Sequence, residues 1–263
     1  FPTRRSSDLS NGGKVFGGSD GIGGIIGADT GSSNNWVQVT GANSTWSNSL
    51  DLYIGFGGSS NSLVISNQAV VRDSNGIIGN YYLASNNSVL VTGTNSLWKN
   101  DADLYVGNYG SSNSLVISNG AHVTDVNGWI GFTNKATITS NNNVTVTGGG
   151  SLWSNSGSVV IGNEGSSNSL VISNGGRVIN DNGYIGYNAS SSNNSVTVTG
   201  SNSLWSNALF LEIGYSGAGN SLVISNRGTV AAFGVNIGDD NVSASNNMVL
   251  VTGSNSSLLA GGN

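Results

Sequence analysis

A parallel β-helix is predicted for this 263-residue chain: an all-β solenoid of about nine to ten coils, each of about 26 residues with three short strands. Three observations predict it. The tripeptide VTG recurs, ending at Gly41, Gly93, Gly148, Gly200 and Gly253, at spacings of 52, 55, 52 and 53 residues. The string NSLVISN recurs between them, starting at Asn61, Asn113, Asn168 and Asn220. Apolar and polar residues alternate with period two in short β-branched runs, and no stretch shows helical periodicity. Self-similarity at a fixed interval is the mark of coils that stack on their own copies.

The longer repeat is itself double, because NNSVLVTG (86–93) and SNSLVISN (112–119) share one template. Superposing the halves gives a single column: Asn11, Gly41, Asn67, Gly93, Asn119, Gly148, Asn174, Gly200, Asn226 and Gly253. Gly and Asn are the residues that most readily accept a positive φ, so the column predicts a left-handed turn in every coil. Before that turn comes an apolar-x-apolar strand such as Leu63-Val64-Ile65. After it, a second strand surrounds Trp46, Trp98, Trp153 and Trp205 in one half-repeat and Val71, Val123, Val178 and Val230 in the other. A third strand ends in Ile/Val-Gly, as at Ile54-Gly55 and Val106-Gly107. Stacked in register, the coils are expected to wind right-handed, the rule for parallel crossovers. Nine coil-to-coil steps at about 4.8 Å predict a rod of about 43 Å. Asn columns are expected to form amide ladders along it. Extra residues near Asn134 to Ser140 are expected to loop out without breaking the stack.

Composition narrows the function classes. Charged residues make up only 8% of the chain, the net charge is −5, and there is no Cys, one His and one Pro. Disulfide scaffolds, zinc–thiolate sites and cysteine nucleophiles are excluded. A weakly acidic chain carries no electrostatic footprint for nucleic acid. No apolar run is long enough to cross a bilayer as a helix. The opening string FPTRRSSDL differs from everything after it and resembles the codon-by-codon translation of a common short-read sequencing adapter. Residues 1–9 are therefore expected to be foreign. Residues 10–263 are expected to form one solenoid fragment of a longer protein.

The block VTGTNSLWKNDADLYVGNYGSSNSLVISNGAHVTDVNGWIG, from Val91 to Gly131, resembles the repeat associated with type V secretion and PEP-CTERM proteins. The resemblance implies an autotransporter-like passenger, outside the cell or on the bacterial outer-membrane surface, with a C-terminal translocator or anchor elsewhere in the protein. It implies surface glycans or a host or matrix surface as partners, no nucleic acid, no cofactor and no characteristic catalytic residues.

Candidate chemistry is sparse. His122 is the only histidine and has Asp125 three residues on, but the equivalent positions hold Val70, Arg177 and Thr229. It reads as a solvent-facing turn residue, not a general base. Asp51 and Asp103 stand two coils apart, roughly the 9–10 Å of an inverting glycosidase pair. Asp73 and Asp125 share one turn column, and Asp239 and Asp240 are adjacent. Surface solubility accounts for these acids equally well. Gly17 to Gly24 superficially matches a calcium-binding nonapeptide, once and without tandem repetition. Trp46, Trp98, Trp153 and Trp205 are read as inward corner fillers; turned outward, they are the candidate ligand-facing set. A Ser/Thr column including Thr40, Ser66, Thr92, Ser118, Thr147 and Thr199 has the layout of an ice-binding face, but few positions form Thr pairs. The function expected is a non-catalytic stalk or adhesive passenger. The alternatives are a polysaccharide lyase or glycosidase, or a carbohydrate-binding or ice-binding solenoid.

Overall fold

Three strand types follow one another along the chain and repeat in the computed structural model, which describes residues 6–17, 23–133, 139–238 and 243–261. The first type is a five-residue run such as Ser62–Ser66, Ser88–Thr92 and Ser114–Ser118. The second is represented by Val70–Asp73, Leu97–Asn100 and His122–Asp125. The third is a short segment such as Gly76–Ile78, Leu104–Val106 and Gly128–Ile130. Each type pairs with its own kind one coil away, giving parallel sheets of 10, 10 and 9 strands and about nine turns of a β-solenoid. No helix occurs among the described residues.

Register is one-to-one because the side-chain period is two and a one-residue slip would turn every core residue outward. Val89 lies between Leu63 and Leu115, and Val91 between Ile65 and Ile117, all buried. The sheets continue across the insertion, with Ser114 opposite Asn143 through to Ser118 opposite Thr147. The inserted residues 134–138 lie outside the described residues.

In the second sheet, Trp98, Trp153 and Trp205 are fully buried, alternating with Val71, Val123, Val178 and Val230. Room for each indole comes from a glycine at or near the start of the third-sheet strand. A Cβ at Gly128 would lie 2.3 Å from Cζ2 of Trp153, and one at Gly183 would lie 2.7 Å from Cζ2 of Trp205. Burying an indole of 150–250 Å² contributes about 4–6 kcal/mol of transfer free energy. Trp46 is half-buried because it lines a cavity of about 280 Å³ at the open N-terminal end, with Leu9, Ile26 and Val39.

The turn column holds throughout: Asn11, Asn67, Asn119, Asn174 and Asn226 have φ of 49–55°, and Gly41, Gly93, Gly148, Gly200 and Gly253 have φ of 80–92°. The expected amide ladder forms at the corner leading into the first sheet. It runs Asn35, Asn61, Asn87, Asn113, Asn142, Asn168, Asn194, Asn220 and Asn247. Each backbone N and Nδ2 donates to Oδ1 of the next, at 2.9–3.2 Å. These bonds satisfy amides that would otherwise be buried without partners.

At the N-terminus, Ser6–Leu9 pairs with Trp36–Val39 as the first strand of the first sheet. The end of a parallel sheet offers free N–H and C=O groups, and any extended segment with an apolar residue at the right step can occupy it. Leu9 supplies that residue and contacts the core.

Candidate functional site

In each third-sheet strand the middle residue must face outward, because its two neighbours face the core. Register aligns these middle residues as Tyr53, Ile77, Tyr105, Trp129, Val160, Tyr184 and Glu212. A second line of rings follows the glycine that ends each strand: Phe56, Tyr81, Phe132, Tyr187 and Tyr215. The two lines interlock. Phe56 stands edge-on to Tyr53 and Tyr81, both at 5.0 Å. Tyr105 stacks on Trp129 at 6.3 Å with Phe132 edge-on to both, and Tyr187 stacks on Tyr215 at 5.2 Å with Tyr184 edge-on. Ile77 and Val160 face outward yet are buried, 6% and 2% exposed, in the intervals between these groups. The other rings are half-buried, whereas Tyr81 and the adjoining Tyr82 and Leu83 project further, at 48–66% exposure.

Carboxylates anchor one edge of this aromatic band. Tyr53 Oη donates to Asp51 Oδ2 at 3.0 Å, and Tyr105 Oη to Asp103 Oδ2 at 3.1 Å. Trp129 Nε1 also donates to Asp103 Oδ2, at 3.1 Å. The second oxygen of each acid accepts the backbone N and Nδ2 of an asparagine one coil on, Asn75 or Asn127, at 2.8–3.1 Å. Burial, reinforced by Asp51, pushes the Tyr53 phenol up to about 12. Burial and Asp103 raise Tyr105 further. Both phenols remain donors at neutral pH. Asp51 and Asp103 therefore serve as structural anchors with both oxygens engaged, an arrangement unlike an acid and base flanking a scissile bond.

The band escaped the sequence reading, although the signal is present. LYIGF (52–56), GWIGF (128–132) and GYIGY (183–187) each place an aromatic between two core positions and another shortly after the glycine. In the tryptophan column, read as inward, Trp98, Trp153 and Trp205 face the core and Trp46 packs against it, so they are not a ligand-facing set, while Leu97, Leu152 and Leu204 take the outward positions. The surface reading of Asp73 and Asp125 is corrected, since they are 1% and 6% exposed. Their Oδ2 atoms accept Trp98 Nε1 at 2.8 Å and Trp153 Nε1 at 2.7 Å. A buried indole N–H needs an acceptor, and the acid one coil back supplies it.

His122 is exposed, and strand alternation turns Asp125 to the opposite face, so the two form no dyad. The Ser/Thr hydroxyls close on one another, as Ser66 Oγ donates to Thr40 Oγ1 and Ser118 Oγ to Thr92 Oγ1, each at 2.9 Å. Turn asparagines add bonds to the same threonines, so these hydroxyls pin the turn. Asp239 and Asp240, and residues 18–22 of the glycine-rich segment, lie outside the described residues. Among the described residues no group of three or more His, Cys, Asp or Glu side chains is placed to hold a metal ion. No protein-family model, curated protein or solved structure matches the chain.

Chemically, the band offers half-exposed rings edged by phenol and carboxylate oxygens, with no Lys, Arg or His among its members. Such a surface suits a ligand with apolar C–H patches and hydroxyl groups. It presents no activated nucleophile.

Proposed function

We propose that this chain is a non-catalytic, elongated segment of a bacterial secreted or cell-surface protein, a stalk or adhesive passenger whose aromatic band is its contact face. Surface glycans, or a host or matrix surface bearing them, are the proposed partners. The observation that carries the reading is the unbroken register of all three sheets, with the same residue types recurring at core and turn positions. A catalytic solenoid departs from its own repeat where a cleft is built. Here the departures are aromatic substitutions on one outer face. Weak contacts repeated along that face would add through effective concentration, without one deep pocket.

A glycan array and a polysaccharide-hydrolysis screen with the full chain test the proposal. Binding without turnover is expected, with loss in a Tyr105→Ala/Trp129→Ala variant and retention in Val116→Thr on the first sheet. Affinity should decline stepwise as two-coil units are deleted. Turnover abolished by His122→Ala, or binding indifferent to the band, would overturn it. The secretion half is checked in the complete reading frame, where a translocator barrel or sorting signal is expected.

A further inference from the structure

The last core-facing position of the second-sheet strands forms a buried polar column in which Asp73 stands opposite Asn100, Asp125 opposite Asn155, and Asn180 opposite Asn207. The third pair shows how such a pair is satisfied. Asn180 Oδ1 accepts Trp205 Nε1 at 2.8 Å, and Asn180 Nδ2 donates to Asn207 Oδ1 at 2.7 Å. The two acidic pairs copy only half of this. Each aspartate accepts its indole through Oδ2, but four buried oxygens are left without a partner: Oδ1 of Asp73, Asn100, Asp125 and Asn155. The asparagine amides cannot turn to help, since Asn100 Nδ2 donates to Thr124 O and Asn155 Nδ2 to Ile179 O. Two acceptors facing each other across a coil step are unfavourable unless one carries a proton.

We infer that Asp73 and Asp125 are held as neutral carboxylic acids, each donating a proton from Oδ1 to the amide oxygen of Asn100 or Asn155, and that the solenoid is thereby more stable in acid than in alkali. One proton per pair satisfies all four orphaned oxygens and reproduces the Asn180–Asn207 pattern.

The surroundings agree. Asp51 and Asp101 lie near Asp73, and Asp103 near Asp125. Asp51 and Asp103 are engaged by the aromatic band, and Asp101 is ion-paired with Lys99. The cations of these strands and their neighbours, Arg72, Lys99 and Arg177, and the one histidine, His122, occupy outward positions on the opposite face. Burial is the main cause that lifts Asp73 to about 8 and Asp125 well above the ordinary carboxylate range, with the indole bonds only partly opposing it.

The sign follows from linkage. In the unfolded chain both acids ionise at ordinary carboxylate pH, whereas the folded chain keeps their protons, so unfolding releases protons. The stabilisation is complete below the unfolded pKa and lost as pH rises toward the folded one. Across that window the unfolding constant should rise about tenfold per pH unit for each acid.

The test compares the full chain with Asp73→Asn, Asp125→Asn and the double variant by denaturant unfolding from about pH 5 to about pH 9. The asparagines should supply the missing donors permanently. Expected are a double variant at least as stable as the parent at neutral pH, and a parent-to-variant ratio of unfolding constants that rises with pH. An infrared difference spectrum at neutral pH gives an independent reading on the parent itself. A protonated-carboxyl carbonyl band should be present in the folded parent and vanish on unfolding. Absence of that band, or parallel pH dependence in parent and double variant, would overturn the inference.

Discussion

Asn113→Ala probes the amide ladder at its centre, where the bonds lost can be counted. Asn113 Oδ1 accepts two donors from the preceding coil, Asn87 N at 2.9 Å and Asn87 Nδ2 at 3.1 Å. Its own Nδ2 donates to Asn142 Oδ1 at 3.2 Å. Truncation leaves Asn142 Oδ1 with the backbone N of residue 113, which still donates at 2.9 Å. The two donors on Asn87 are left with no acceptor at a site that is 0% exposed. Orphaning a buried donor costs about 1–3 kcal/mol, so the variant should lose about 2–6 kcal/mol, with the low end reached if water enters the vacated space. That is a large share of the roughly 5–15 kcal/mol holding an ordinary domain together.

Coils interact with their neighbours only, so the loss should be read locally as well as globally. Amide hydrogen exchange does this, because the Asn87 N–H is bonded to the deleted oxygen itself. Its protection should fall by at least about thirtyfold, the equivalent of about 2 kcal/mol, while the Asn194 amide, several coils away, keeps its own. Asn119→Gly is the control: it retains the left-handed turn and removes one exposed bond, to Thr92 Oγ1 at 3.0 Å. Its effect should stay within about 0.5 kcal/mol. Unchanged Asn87 protection and an unfolding midpoint equal to the parent's would refute the ladder as a source of stability.

Three further outcomes are expected. Gln68 has φ of 70°, as Arg227 has 71°, where the equivalent positions hold Gly12, Gly120 and Gly175, so Gln68→Gly should stabilise the fold by about 1 kcal/mol, read from the denaturant midpoint. Gly128→Ala drives a Cβ to 2.3 Å from Trp153 Cζ2 and should cost about 1–3 kcal/mol by overpacking, with a changed near-ultraviolet tryptophan signal. Gly148→Val forces a β-branched residue to φ of 90° and should cost about 1–3 kcal/mol in a thermal melt, whereas an unchanged melt would show that the turn tolerates it.

The strands, the coil length and the turn column were legible because each depends on a rule local in sequence. Alternation at Leu63-Val64-Ile65 declares a half-buried strand, and Gly or Asn at the column from Asn11 to Gly253 declares a positive φ. The aromatic band was not legible in the same way. Tyr53 and Tyr105 are 52 residues apart and become members of one surface only when the register sets them on the same outward line. Asp73 and Asp125 were misread for a related reason. An acid at a strand end normally faces water, and only the stacked coil brings the Trp98 or Trp153 indole over it.

Which positions are free to carry function follows from which are tied to the stack. Core columns must fit between identical neighbours, the ladder asparagines must accept and donate in sequence, and the glycines beneath them have no room for a side chain. A Cβ at Gly79 would lie 2.2 Å from Asn113 Nδ2, and one at Gly131 would lie 2.3 Å from Asn168 Nδ2. The hydroxyl column is closed on itself. The outward-facing positions of the third-sheet strands need not match their neighbours in this way, and they differ from coil to coil: Ile25, Tyr53, Ile77, Tyr105, Trp129, Val160, Tyr184, Glu212, Asn236. Such variety on an otherwise uniform rod gives the outer face of the third sheet a different surface at each coil. Under the proposed contact-face reading, a partner distinguishes one coil from the next by these outward side chains, and the aromatic band is set apart from the columns that only hold the rod together.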